Sequence, residues 1–271
     1  MIRYPLIVLL LSTQLLSQEK KYGYSFLAAG MQSSIYTQNF DTTGKDYTLK
    51  SDITSPYYIT GNLTRINARY GFEIIAASTL FANSSTEKVH SGNETIQHNV
   101  EMTLTDISLI LHYKPINEYH RATFGFKYSY EVQKRYNFEQ ENLKEIGIIE
   151  NKIASMSLNA GYLYTSKILT GTPGWHYRAG VSLGIPVYAV TADTYPPESF
   201  EMGTTWGYMG NLNGYIGYTV YEGLELGFYT DYLYRVRFDE VRYEDAAGNT
   251  INSSDSITNR FNYGLMASWS Y

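Results

Sequence analysis

Five histidines, His90, His98, His112, His120 and His176, are the side chains best suited to activating water in this chain of 271 residues. A carboxylate–imidazole centre needs an acid held beside the ring, with both groups within reach of one water. On a strand that means an Asp-x-Asp or Asp-x-His spacing, and neither occurs. A Ser–His hydrolase would need a serine beside one imidazole. His98 is the sole candidate for that ring and reads as a solvated loop residue. The chain has no Cys, which removes thiol catalysis, disulfides and lipid anchoring on a cysteine. No run of His, Asp and Glu has metal-ligand spacing, so neither a metal nor another cofactor is expected.

A second set of charges is spaced differently. Glu73, Asp106, Lys127, Glu131, Arg178, Glu225, Asp231, Arg235 and Arg260 each alternate with apolar neighbours. A period of two puts such charges on one face of a strand and the apolar residues on the other. Charges gathered on the inner faces of a closed sheet would pair with one another or hold water.

Ten segments carry this alternation. Their apolar rows begin with Tyr22, Tyr24, Phe26 and Ala28, then Tyr57, Ile59 and Leu63, then Tyr70, Phe72, Ile74 and Leu80. They continue with Ile107 to Tyr113, Phe124 to Val132, Met156 to Tyr164, Trp175 to Ile185, Trp206 to Val220, Leu224 to Phe238 and Phe261 to Tyr271. Between Leu104 and Ile107 the phase breaks, which predicts a bulge or the membrane boundary. Pro186 cannot donate to a ladder and predicts another. The expected connections alternate in length. Long polar loops are expected over 38–46, 83–97, 137–150, 192–203 and 242–255, and short turns over 67–69, 114–120, 167–174 and 222–223. Glycines 23, 71, 125, 161, 180, 184, 227 and 264 fall on the polar face, where they would make room for larger side chains.

The two ends of the chain point the same way. Met1 to Arg3 is a basic start, Pro5 to Leu11 an apolar run, and Ser17 a small residue before Glu19-Lys20-Lys21. This reads as a secretory signal peptide over 1–17, leaving a domain over 18–271. At the other end Tyr263, Leu265, Trp269 and Tyr271 stand in one row. That row, ending on an aromatic residue, resembles the C-terminal strand of Gram-negative outer-membrane β-barrels. The resemblance implies a ten-stranded antiparallel up-and-down transmembrane barrel, with long loops outside, short turns and both mature termini in the periplasm. It also implies recognition of the terminal row by the barrel-assembly machinery, and contact with outer-membrane lipids and lipopolysaccharide. A total of 28 Tyr suits the headgroup girdles. A mean hydropathy of −0.29 argues against helical spans but not against strands that expose every second residue to lipid. The net charge is −5, and about −6 once Arg3 leaves with the signal, so nucleic acid is not an expected partner.

Strands of about 14 to 18 residues exceed the roughly 9–11 that cross a bilayer, and the surplus is expected above the outer leaflet. Ten tall strands resemble the omptin proteases, although the Asp pair and the His-Asp pair of that family have no counterpart at matching positions here. Three functions are therefore carried forward: a non-catalytic monomeric surface barrel acting through its loops, a narrow pore for small polar solutes, and an omptin-like hydrolase. The acidic residues Asp193, Glu198, Glu201, Glu244, Asp245 and Asp255 are expected in outer loops, where divalent cations could bridge them to lipopolysaccharide phosphates. The inward charges are expected in tiers. Glu73, His112, Arg178 and Glu225 lie near the periplasmic end. Asp106, Lys127 and Asp231 lie at mid-height as a plug, with Asp231 reaching Lys127 across the lumen. Glu131, Arg235 and Arg260 lie near the top.

The face assignment is testable by charge. Phe228 and Leu265 should face lipid, and Gly227, Tyr229 and Met266 should not. An Arg near the bilayer midplane costs about 2–4 kcal/mol on the lipid face. Phe228→Arg is expected to lower refolding yield more than Tyr229→Arg, and equal yields would reverse the assignment.

Overall fold

The computed structural model describes Gly23 to Ser270, apart from residues 43–44, 68, 116, 118, 140–146, 167–172, 195–196, 203–206, 222, 239–240 and 245–249. The expected signal peptide and Tyr271 lie outside the described residues. So do Asp245 and the side chains of Asp193, Glu198, Glu201, Glu244 and Asp255.

The strands are β1 (Gly23–Thr42), β2 (Lys45–Arg65), β3 (Tyr70–Thr79), β4 (Ser84–Ser91), β5 (Glu94–Tyr113), β6 (His120–Tyr136) and β7 (Ile148–Thr165). They continue with β8 (Gly174–Thr194), β9 (Pro197–Met202), β10 (Gly207–Tyr221), β11 (Leu224–Arg237), β12 (Val241–Glu244) and β13 (Thr250–Ser270). Around the barrel the order is β1, β13, β11, β10, β8, β7, β6, β5, β3, β2, and β2 closes back on β1. Every pairing is antiparallel, and the β1–β2 pairing closes the ten staves into a barrel.

The short strands extend these staves. Beyond an irregular stretch at 80–83, β4 continues the line of β3 and pairs with both β5 and β2. β9 folds back on β8, and β12 on β13. Of the connections expected to be long loops, 38–46 and 83–97 are therefore largely strand, whereas the described part of 137–150 is strand only from 148 onward. Residues 83–97 form a hairpin turning at Gly92, whose φ of 56° favours glycine. The ends of β1 and β2 pair as far as Thr42 and Lys45, well into the loop expected at 38–46. At the opposite end, which also holds Gly23 and Ser270, the connections are short. They span 66–69, 114–119, 166–173 and 222–223. The apolar phase does change side, Leu104 being buried and Ile107 exposed, but without a bulge in the β5–β6 pairing. The β5–β6 register runs without a shift, and Leu104 simply points inward, 3% exposed. The bulge at Pro186 is present, as a register shift opposite Met156 and Ser157.

Most apolar rows face outward. Leu265 is 73% exposed and Met266 next to it 5%. Phe228 is exposed and Tyr229 buried. On the first two staves the rows are reversed. Tyr24, Phe26, Ala28, Tyr57 and Leu63 are buried inside the barrel, where Tyr24, Phe26, Ala28 and Leu63 pack with Tyr215, Tyr229 and Met266. The outward row of β2 is then Thr60, Asn62 and Thr64, and Gly23 moves to the outward row of β1. These outward polar groups are bonded locally. Thr60 Oγ1 donates to the Phe26 carbonyl at 3.0 Å, Asn62 Nδ2 to Ser25 Oγ at 2.8 Å, and Thr64 Oγ1 to Asn62 Oδ1 at 2.9 Å. A hydroxyl bonded in this way can face an apolar medium at reduced cost.

Closure depends on the last stave. β13 pairs with β1 from Ser270–Tyr24 upward, and with β11 from Trp269–Leu224. Where the seam is tightest, Gly30 faces Gly264, and a Cβ on either would run into the carbonyl of the opposite strand, of Tyr263 or of Ala29. Deleting Trp269 to Tyr271 would strip ladder partners from both β1 and β11. Each backbone group left unpaired in lipid costs several kcal/mol. The truncated chain is expected to give little or no heat-modifiable barrel in a membrane fraction, and wild-type amounts would overturn this account of closure.

Candidate functional site

Inside the closed wall the inward side chains form a stack of polar tiers. At the end with the termini, Tyr24 Oη donates to Glu73 Oε1 at 2.9 Å, and His112 Nε2 lies 2.9 Å from Glu73 Oε2. Arg178 crosses from β8 and donates to Tyr24 Oη. Its guanidinium lies 5.5 Å from the centre of the Tyr24 ring and 5.9 Å from those of Phe26 and Tyr215, a cation–π arrangement. His176 Nδ1 pairs with Glu225 in the same region. Space for these groups comes from glycine: a Cβ on Gly217 or Gly227 would strike the Tyr215 ring.

At mid-height Asp106 Oδ2 is held at 2.8 Å by both Lys127 Nζ and Arg260 Nη2. β5 and β6 are neighbours, but β13 is four staves away, so Arg260 spans the lumen. Arg260, expected near the top, is thus the cross-lumen partner in the place expected for Asp231. Shear in a tilted barrel shifts levels in this way. The Asp231 carboxylate instead accepts from Asn211 Nδ2 at 2.7 Å and from Asn262 Nδ2 at 3.1 Å. Higher up, Arg235 Nη2 lies 3.7 Å from Glu131 Oε2, and Gln133 Nε2 donates to Glu131 Oε1 at 2.5 Å.

At the mouth, Glu87 of β4 meets His98 of β5 at 2.7 Å and Arg135 Nε of β6 at 2.5 Å, both on Oε2. Arg135 Nη2 also donates to Gln133 Oε1 at 2.6 Å, and Phe138 packs on the His98 ring at 5.2 Å between centres. His98 is therefore a buried strand residue rather than a solvated loop residue. Glu87 and Arg135 were not singled out from sequence. The signal that reveals them is Gly92-Asn93 between Val89 and Ile96, a hairpin turn that sets Glu87 opposite His98.

No protein-family model and no curated protein sequence matches the chain. Solved structures do. The outer membrane protease OmpT from Escherichia coli superposes with a TM-score of 0.67 at 10% identity, over 96% of this chain and 100% of that one. The fold is that of an outer-membrane β-barrel. The outer membrane protein OprG from Pseudomonas aeruginosa matches with a TM-score of 0.41 at 12% identity, over 92% of this chain and 97% of that one. The translocator domain of the autotransporter NalP from Neisseria meningitidis matches at 0.39 and 9% identity, over 98% and 94%.

The mouth cluster of this barrel responds to pH. Burial would raise the Glu87 carboxyl, but Arg135 beside it and the bond to His98 outweigh burial and hold it below its ordinary value of 4.5. A carboxyl lowered by folding lends stability that is complete above its unfolded pKa and is lost as pH falls through the lowered one. With the intrinsic pH dependence of exchange divided out, protection of the amides in the β4–β5 hairpin is expected to fall as pH drops below about 4.5. Arg135→Met leaves a buried carboxylate short of its cation. It should lower the local opening free energy by about 3–5 kcal/mol, read as faster exchange in this hairpin with the remaining staves unchanged.

Proposed function

We propose that this chain is an integral, monomeric barrel of the outer membrane, without catalytic activity, which keeps its lumen closed and acts at the cell surface through the hairpins opposite its termini. In this reading both termini are periplasmic, the barrel-assembly machinery reads the row Tyr263, Leu265, Trp269 and Tyr271, and lipids and lipopolysaccharide surround the wall. One observation carries it: Asp106 is gripped by Lys127 and by Arg260 from the opposite wall, at 2.8 Å each. Two charged groups from neighbouring staves and one from across the barrel, joined through one carboxylate oxygen, form a strut across the lumen. Such a strut is stabilising only while all three are present, because a buried charge without its partner is strongly unfavourable.

The hydrolase reading rests on likeness of fold alone. The pore reading draws on the hollow beside the strut, described below. A conductance measurement separates strut from pore. In planar bilayers the refolded wild type is expected to pass no resolved current. In Asp106→Ala, Lys127 and Arg260 lose their shared carboxylate and repel each other, and discrete openings are expected. A wild type that conducts steadily, and conducts the same after the substitution, would sink the closed-lumen reading in favour of the pore.

A further inference from the structure

A cavity of about 210 Å³ lies in the middle of the lumen, smaller than the roughly 300–1,000 Å³ of sites for drug-sized molecules. Its wall carries three carboxylates, Glu73, Asp106 and Asp231, and three cations, Lys127, Arg178 and Arg260. Their pairing is uneven. Asp106 takes both Lys127 and Arg260, and Glu73 is taken by His112 and Tyr24. Asp231 is left with two neutral amides and Arg178 with a phenol and aromatic faces. Among the described residues neither has an ion-pair partner. One chamber thus holds an anion and a cation without a direct ion pair, Asp231 interacting with Lys127 and Arg260, and Arg178 with Glu73 and Glu225, only at longer range.

The two sites are separate and built. Asp231 is on β11 and Arg178 on β8, with β10 between them. The register runs Arg178, Tyr215, Tyr229, and Asp231 is the next inward residue above Tyr229. Beside Asp231, Asn262 is 2% exposed and its Oδ1, an acceptor, has no partner within the protein. Tyr229, 6% exposed, likewise has an unpartnered Oη. Those two acceptors are closed off from the chamber, so the Asp231 carboxylate is the group that offers an ammonium a charge-assisted bond. A metal ion is less well served, because among the described residues no group of three or more His, Asp or Glu is placed to hold one. At the other pole, a guanidinium is a fork suited to a carboxylate. A ligand with no net charge also suits a wall whose charges cancel.

We infer that this chamber binds a small zwitterion of the amino-acid class, with its ammonium at Asp231 and its carboxylate at Arg178. The inference goes beyond the surface-barrel reading and does not depend on whether the lumen conducts. A second hollow of about 20 Å³ lies against the same Lys127 and Arg260 on the side of Arg235 and Arg237.

The test is isothermal titration of the refolded barrel in detergent with glycine, β-alanine and γ-aminobutyrate, and with butyrate and butylamine as single-charge halves. At least one zwitterion is expected to bind about tenfold or more tightly than either half, as expected when two charge-assisted contacts replace one. Asp231→Asn should abolish that advantage while leaving butyrate binding unchanged. Arg178→Gln should abolish it while leaving butylamine binding unchanged. A merely structural role for these residues would not move the two preferences in opposite directions. Absence of binding by every zwitterion, equal binding by a half, or an Asp231→Asn barrel of unaltered affinity would each overturn the inference. If a variant fails to regain heat-modifiable mobility, the wild-type comparison of zwitterions with halves decides alone. Conductance reports on the strut separately, so failure of one reading leaves the other standing.

Discussion

Closure of the sheet on itself governs this molecule. A strand in hydrocarbon has no solvent to satisfy its free amides and carbonyls, so the sheet must close on itself. β1 and β13 meet over a register that runs from Tyr24–Ser270 to Thr42–Ile251, with one shift near Gln38. Closure at ten staves leaves a narrow interior, and the side chains within it must share the space. The glycine pair at the seam and the glycines beneath Tyr215 are consequences of that crowding. So is the density of ion pairs, because charges crowded into a narrow lumen come within reach of one another.

The alternation itself was legible in the sequence, and with it the class of fold, the number of staves and the inward position of Glu73, Asp106, Lys127, Arg178, Glu225 and Asp231. Which row faces out was less legible. A period of two defines two faces but not their environments. On β1 and β2 the larger residues turn inward, where Tyr24, Phe26 and Tyr57 fill space left by glycines such as Gly61. The hydroxyls and amide of the outward row on β2 reach neighbours on the wall itself. Composition alone assigns that row to water. The outer connections were misjudged for a similar reason. Polar sequence such as 83–97 reads as loop, yet a strand wetted on both faces needs no apolar row.

The vertical order of the charges was the least legible feature. Counting residues from the turns gives the height of each side chain along its own stave, but shear offsets one stave from the next. Around half the circumference the offset is large enough to bring Arg260 level with Asp106 and leave Asp231 to Asn211 and Asn262. Only the registers of the intervening strands convert residue number into height, and these depend on side-chain fit that a linear pattern does not contain.

The mid-lumen arrangement also explains how a barrel can be closed and still hold a solute-sized chamber. A strut needs only the groups that span the lumen at one level, and Asp106 with its two cations supplies them. That concentration of positive charge on one carboxylate is what leaves Asp231 without a cation two staves from Arg178. Had Arg260 stood one inward step lower, Asp231 could have shared it, and both the unpaired anion and the polarity of the chamber would be gone. Closure and an internal polar chamber thus follow from the same offset between β5 and β13, and neither requires the other to be lost.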